Sequence, residues 1–206
     1  MDVTEPIGPV TRAQWRAWLM EHHARRSHVW LLSTSRSGAD GAATYLDAVE
    51  EALCFGWIDG TAKRHGEFTA QRYSPRRPKG NWTELNKERA RRMIAAGLMT
   101  EAGQRVLPDL DPAVFRIAPD ILAALQSDPV VWANFQGFPG LYQRVRVYNI
   151  EVLRQSDPAN FGKRLATLID KSRDNVMVGA WDDSTLPRTE PLSPAGATRS
   201  RSPSSR

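Results

Sequence analysis

The sequence predicts an α+β protein: a small antiparallel sheet of about three strands packed with N-terminal helices, then an all-helical C-terminal part, then a disordered tail. Three observations predict it. A short apolar run, "HVWLLS", and two further strand-like stretches joined by "RHGE" lie before residue 75. Beyond about residue 100 the chain reads as helical, with prolines at or near several starts, where a missing N–H is tolerated. From Ser184 onward, "STLPRTEPLSPAGATRSRSPSSR" is Pro, Ser, Arg and little else, too poor in apolar residues to offset chain entropy.

The elements follow in order. Thr11–Ala24, "TRAQWRAWLMEHHA", is helical: Thr11 and Gln14 have capping-box spacing, and Trp15, Trp18, Leu19 and His22 share a face. "HVWLLS" is a strand and "SRSGADGAA" a loop. Thr44–Phe55 is a second helix, capped by Thr44 and Asp47 and ended by Gly56. Trp57–Lys63 and Phe68–Ser74 form a hairpin. "PRRPKGN" is a loop, because two prolines and a glycine break regular structure. Thr83–Ala96 is a third helix, stopped by Gly97. Helices follow at Thr100–Leu107, Pro119–Gln126, Pro129–Phe135, Pro139–Gln155 and Pro158–Lys171. The 206 residues then divide into a flexible start (1–10), an α+β core (11–107), a helical part of the same unit (108–183) and the tail (184–206).

The composition is ordinary for a globular protein, 41% hydrophobic and 25% charged. No apolar run approaches the ~20 residues a bilayer span needs. The N-terminus carries acids before any base and no apolar h-region, so no secretory signal is expected. The one cysteine, Cys54, excludes an intramolecular disulfide and a Cys-rich metal site. These features point to the cytoplasm and to no membrane insertion.

The net charge is +5, and its placement matters more than its size. The tail, four arginines against one glutamate, carries +3 of it. Thr61–Arg92 has ten Lys/Arg and three Glu, a net +7, so the rest of the folded part is about −5. One basic segment set in an acidic body attracts a local anion; it argues against a broad nucleic-acid footprint.

On a helical wheel the second helix turns Leu46, Val49, Ala52 and Leu53 inward and Asp47 and Glu51 outward. Glu50 stands at the border, where desolvation raises a carboxyl pKa unless a cation pairs with it. It is either a general base, a contact to a cationic partner, or one half of a salt bridge. Cys54 one turn on has no histidine close in sequence, neighbouring Glu50 would raise its pKa, and it reads as a small buried thiol. Trp82, Ala90, Met93, Ile94 and Gly97 make the apolar face of the third helix, with Asn86 in its middle. A buried asparagine must find partners. Asn86 therefore ties down the "SPRRPKGN" loop or faces a polar pocket. Arg72, Arg76, Arg77 and Lys79 supply forks for carboxylate or phosphate. Pro75 and Pro78 stiffen their loop, Trp57 and Trp82 could stack on a planar group, and the helix start at Thr83 adds N–H donors. The alternative is a two-tryptophan core ringed by solvated arginines.

"WRAWLMEHHA", "VWLL", "YLDAVEEALCFGWIDG", "QRYSPRR" and "NWTELNKERARRMIAAGLMTEAG", in this order, resemble the YdeI/OmpD-associated family, also called bacteriocin-protection proteins. The resemblance extends over about 11–175 and excludes the tail. It implies a small, mostly cytoplasmic bacterial protein linked by the family's names to stress, porins and antimicrobial-peptide protection, with no reaction attached. By motif it singles out Glu50, Glu51, Trp57, Asp59, Arg72, Pro75, Arg76, Trp82 and Asn86. This chain departs from the family at Gly80 and Thr83, where a serine is usual, and lacks a lysine after "VWL".

Three functions compete. The first is a binding module for an anionic small molecule or peptide. Arg72, Arg76 and Arg77 would hold the anion, Trp57 and Trp82 would wall it, Asp59 and Glu50 would orient it, and Asn86 would line the pocket. The second is a hydrolase or transferase on a phosphate- or carboxylate-bearing substrate, with Glu50 or Asp59 as general base. The sequence has no Gly-rich phosphate loop, nucleophile elbow or metal-spaced histidine pair, and no cofactor or metal is expected. The third is nucleic-acid binding through 61–92, which the acidic remainder disfavours.

Overall fold

The capping box at Thr11 sets the first helix. In the computed structural model, which describes residues 2–33, 41–77, 80–179 and 181, the Thr11 hydroxyl accepts from the Gln14 N–H (3.2 Å) and the Gln14 side chain accepts from the Thr11 N–H (2.8 Å). Helix α1 (Arg12–His22) follows, then strand β1 (Val29–Ser33). Thr44 and Asp47 repeat the capping box at α2 (Tyr45–Cys54). Gly56, at φ +74°, turns the chain into β2 (Trp57–His65). A side chain there would also bring a Cβ within 2.8 Å of the Ala102 carbonyl. Strand β3 (Phe68–Pro75) returns antiparallel. Both strands run longer than Lys63 and Ser74, so the turn narrows to Gly66 and Glu67.

The sheet has the order β1-β3-β2, all antiparallel. Asp59 stands opposite Tyr73, and Trp30 opposite Arg72. Alternation along β3 therefore puts Asp59 and Tyr73 on one face and Arg72 on the other. Helices α1 and α2 cover the Tyr73 face: Trp15, Leu19, Val49, Leu53, Trp57 and Tyr73 form the first core, with Trp15 and Tyr73 rings 5.3 Å apart. Upstream of α1, Ile7 bridges to Leu31.

Helix α3 (Glu84–Ala95) is capped by Thr83 and closed by Gly97 at φ +68°. Ala90 and Met93 point inward as expected, but Ile94 is 42% exposed. Ala90 and Met93 already fill the contact with the core, and Ile94 falls beyond its edge. The helix expected over Thr100–Leu107 is a single turn, α4 (Glu101–Gln104). Thr100 donates from both N–H (3.1 Å) and hydroxyl (2.6 Å) to the Cys54 carbonyl. Gly103 lies so close under that carbonyl that a Cβ would collide with it. The chain then bends so that Val106, Leu107 and Leu110 pack on the first core.

A 3-10 turn at Pro112–Val114 leads to α5 (Pro119–Gln126), α6 (Pro129–Gly137), α7 (Gly140–Glu151) and α8 (Pro158–Arg173). Among the described residues there are thus eight α-helices and three strands. These later helices build a second core around Ile121, Phe135, Tyr142, Val147, Ile150 and Leu168. After α8 a strap folds back: the Val178 N–H donates to the Tyr142 hydroxyl (2.7 Å) and Trp181 meets the Tyr142 ring edge-on. The two cores meet through α3 and α7. Asn81 donates to the Tyr148 hydroxyl (2.6 Å), and Arg144 lies 3.4 Å from the buried Glu84. The expected 35–43 loop is described only from Gly41, and the expected disordered tail lies outside the described residues. No described helix is long and apolar enough to cross a membrane.

Candidate functional site

Two arginine clusters lie in the first unit, one where α1 meets α2 and one formed by Arg76 after β3 and Arg89 on α3. The first is closed. Glu51 was expected to point outward, and it is fully buried instead. A wheel assumes one covered face, whereas α2 is covered by α1 as well as by the sheet. Arg12 Nε donates to Glu51 Oε1 (2.7 Å) and Arg16 Nη1 to Glu51 Oε2 (2.6 Å). Arg12 Nη1 also meets Asp47 (2.9 Å) and Glu50 (3.0 Å). Arg16 Nη2 donates to the Leu98 carbonyl (2.8 Å) and its guanidinium lies over Phe55. Burial pulls both guanidinium pKa values down, but the hydrogen bonds and charge of Glu51 more than offset this and leave them raised.

Glu50 is 1% exposed. Burial pushes its carboxyl up, and the charge and hydrogen bond of Arg12 offset that only in part. One oxygen faces Arg12; the other, Oε1, is buried with no hydrogen-bond partner. Cys54 is a buried thiol, pushed up to about 12 by burial first and by the charge of Glu51 second. At that value it is a poor nucleophile.

The second cluster is open in charge. Arg76 follows β3, and its N–H is tied to the Gly56 carbonyl (2.9 Å). Its guanidinium stacks 3.7 Å from the Trp82 ring centre. Nη1 donates to the Asn81 carbonyl (3.2 Å), while Nε and Nη2 are buried without an acceptor among the described residues. Burial holds this guanidinium down at about 10, although Asp59 is near enough to raise it. Arg89 on α3 repeats the pattern: Nη1 donates to Asn86 Oδ1 (2.8 Å) and Nε is buried without an acceptor. Burial lowers it too, against the charges of Tyr45, Glu50 and Asp59. Asp59, the nearby carboxylate, is held by the Tyr45 hydroxyl (2.7 Å). That hydroxyl is pushed up to about 12 by burial and by Asp59.

Of the residues singled out from sequence, Arg76, Trp82, Asn86, Asp59 and Glu50 do converge here. Trp57 is core: it is 1% exposed, with Nε1 donating to the His23 carbonyl (3.2 Å). Arg72 lies on the other sheet face, across from Trp30. Arg77 is exposed beside Arg76. Asn86 holds Arg89 rather than the loop. At the start of α3, Glu84 already meets the helix's positive end, paired with Lys87 (2.7 Å). Sequence reading missed Arg12, Arg16, Tyr45 and Arg89. Arg89 sits three residues after Asn86 on the same helix face, and that spacing was the available signal. Among the described residues no group of three or more His, Cys, Asp or Glu is placed to hold a metal.

Comparison with known families divides the chain as the two cores do. Residues 114–175 match the family described as Bacteriocin-protection, YdeI or OmpD-Associated. The chain carries a YdeI/OmpD-associated domain. Residues 8–106, which include both arginine clusters, match a separate domain of unknown function (DUF8412). Comparison with curated proteins and with solved structures returned no match. The YdeI/OmpD-associated domain contributes α7, so its Arg144 and Tyr148 brace α3 and the Asn81 end of the Arg76 loop.

Proposed function

We propose that the chain binds a small anionic ligand, a carboxylate- or phosphate-bearing molecule or a peptide carboxyl terminus, at Arg76 and Arg89. One observation carries this reading. The buried Arg76 guanidinium stacks on Trp82 with two N–H groups unanswered and, among the described residues, no carboxylate within ion-pair distance. A buried charge without a partner costs several kcal/mol, on the order of what a bound anion returns. The ligand's negative group would meet Arg76 and Arg89, Trp82 would wall its planar part, and Tyr45 with Asp59 would frame the entrance. The description of the family matched at residues 114–175 supports placing this capture step in protection against bacteriocins. The lone buried thiol supports a reducing, cytoplasmic setting.

The test is a thermal-shift screen of the full chain against phosphates, nucleotides, carboxylates and short acidic peptides, with Arg89→Gln beside the wild type. The reading expects a hit that stabilises the wild type and not the variant. A hit of equal size on both, or none across the panel, overturns it. A second reading, acid–base catalysis, rests on Glu50, whose Oε1 is buried without a hydrogen-bond partner among the described residues and whose carboxyl burial pushes up. It requires turnover of the hit compound that Glu50→Gln abolishes.

A further inference from the structure

A second cavity lies in the helical unit, between α7, α8 and the strap after α8. Its volume is about 290 Å3. Ile150 and Leu168 make the apolar part of its lining; Arg146, Asn149, Arg164 and Thr167 make the polar part, and Val178 belongs to the strap. The lining holds two cations and no carboxylate. Neither Arg146 nor Arg164 makes an ion pair among the described residues. Each is instead oriented by a carbonyl: Arg146 Nη2 donates to Val178, and Arg164 Nη1 to Asn149 (3.2 Å). The nearest acid that Arg164 influences, Asp157, is engaged at the α8 N-terminus by the Asn160 N–H and side chain.

The donors around this cavity exceed its acceptors. Arg146 lies over the rings of Tyr142 (5.3 Å) and Trp181 (5.9 Å). Among the described residues its Nε is buried with no acceptor, and so is the Trp181 Nε1 beside it. Buried donors without acceptors are rare in native proteins and call for an acceptor that the described residues do not supply. The Thr167 hydroxyl is spent on the Lys163 carbonyl (2.8 Å). A ligand here must bring acceptors and negative charge, and must bury apolar atoms on Ile150 and Leu168.

We infer that this cavity binds a small organic carboxylate with a short apolar body, the carboxylate held by Arg146 and Arg164. A bare phosphate would leave the apolar lining uncovered. A volume near 290 Å3 has room for a ligand about the size of a single aromatic acid. This site is distinct from the Arg76–Arg89 cluster and does not depend on it.

The experiment is calorimetric titration of the full chain with benzoate, beside benzamide (same ring, no charge) and inorganic phosphate (charge, no ring). Saturable benzoate binding is expected, with none for benzamide or phosphate at this site. Arg164→Gln should weaken benzoate roughly tenfold, while Arg154→Ala, at an exposed arginine outside the cavity lining, leaves it unchanged. Arg146 also clips the strap, so its replacement risks the fold. Arg164 is exposed and its change does not. Benzoate that fails to bind at millimolar concentration overturns the inference. So does binding that survives Arg164→Gln undiminished, or that benzamide matches.

Discussion

Arg12 and Arg16, where α1 meets α2, and Arg76 and Arg89, after β3 and on α3, lie in one small unit, and all four are at least partly buried. They differ in what neutralises them. The first pair meets three carboxylates, and the contacts of Glu51 are short on both sides. The second pair meets carbonyl, amide and ring groups, and leaves three N–H groups with nothing to donate to. The same residue type thus serves two ends. Arginines matched by buried acids lock α1 onto α2. Arginines left unmatched make a place where a ligand can supply the missing charge.

The largest effect should come from breaking the matched pair. Arg12→Ala strands Glu50 in the core, leaves Glu51 to Arg16 alone, and should cost about 3–5 kcal/mol by chemical denaturation. A cost below ~1 kcal/mol would break the comparison. Next is the thiol beside the matched pair. Cys54 keeps its proton in the folded chain up to about 12, where the unfolded chain loses it near 9.0. The folded state therefore binds more protons in that window, and its stability falls as pH rises from 9.0 toward 12. By about pH 10.5 the loss should reach at most ~2 kcal/mol relative to Cys54→Ala, and native Cys54 should resist thiol reagents below pH 9. Equal alkaline slopes for the two proteins would show that the cluster is wetter than its geometry.

Smaller still is the unmatched pair. Arg76→Met removes an uncompensated charge but also loses the stack on Trp82 and the bond to the Asn81 carbonyl; these changes oppose, so stability should move by no more than about 1 kcal/mol in either direction. The smallest effect sits on the surface. Arg154 pairs with both Asp120 and Glu151 at 2.7 Å, yet this cluster is exposed. Arg154→Ala should leave the melting temperature unchanged within error.

The local signals of this fold were legible. Both capping boxes, the hairpin, the glycine stops and the proline-led helices follow from spacing within a few residues. What was not legible depends on covering by distant chain. Glu51 is buried because Arg12 and Arg16 arrive from 39 and 35 residues away. The helix at residue 100 shrinks to one turn because Gly103 meets the Cys54 carbonyl. For the site, the motif pointed to Arg76, Trp82, Asn86 and Asp59, all of which converge. Arg72 parted from them because strand alternation turns it to the opposite face. Arg89 was hidden in the run "KERARR", where five charges in six residues look alike until one of them faces inward.

The direct test is the melting temperature of wild type, Arg12→Met and Arg76→Met, each with and without saturating citrate and inorganic phosphate. The account predicts that Arg12→Met melts far below the wild type yet keeps the anion-induced rise, while Arg76→Met melts near the wild type and loses it. If Arg76→Met falls as far as Arg12→Met and still responds to the anion, the unmatched arginines belong to the framework and not to a binding site.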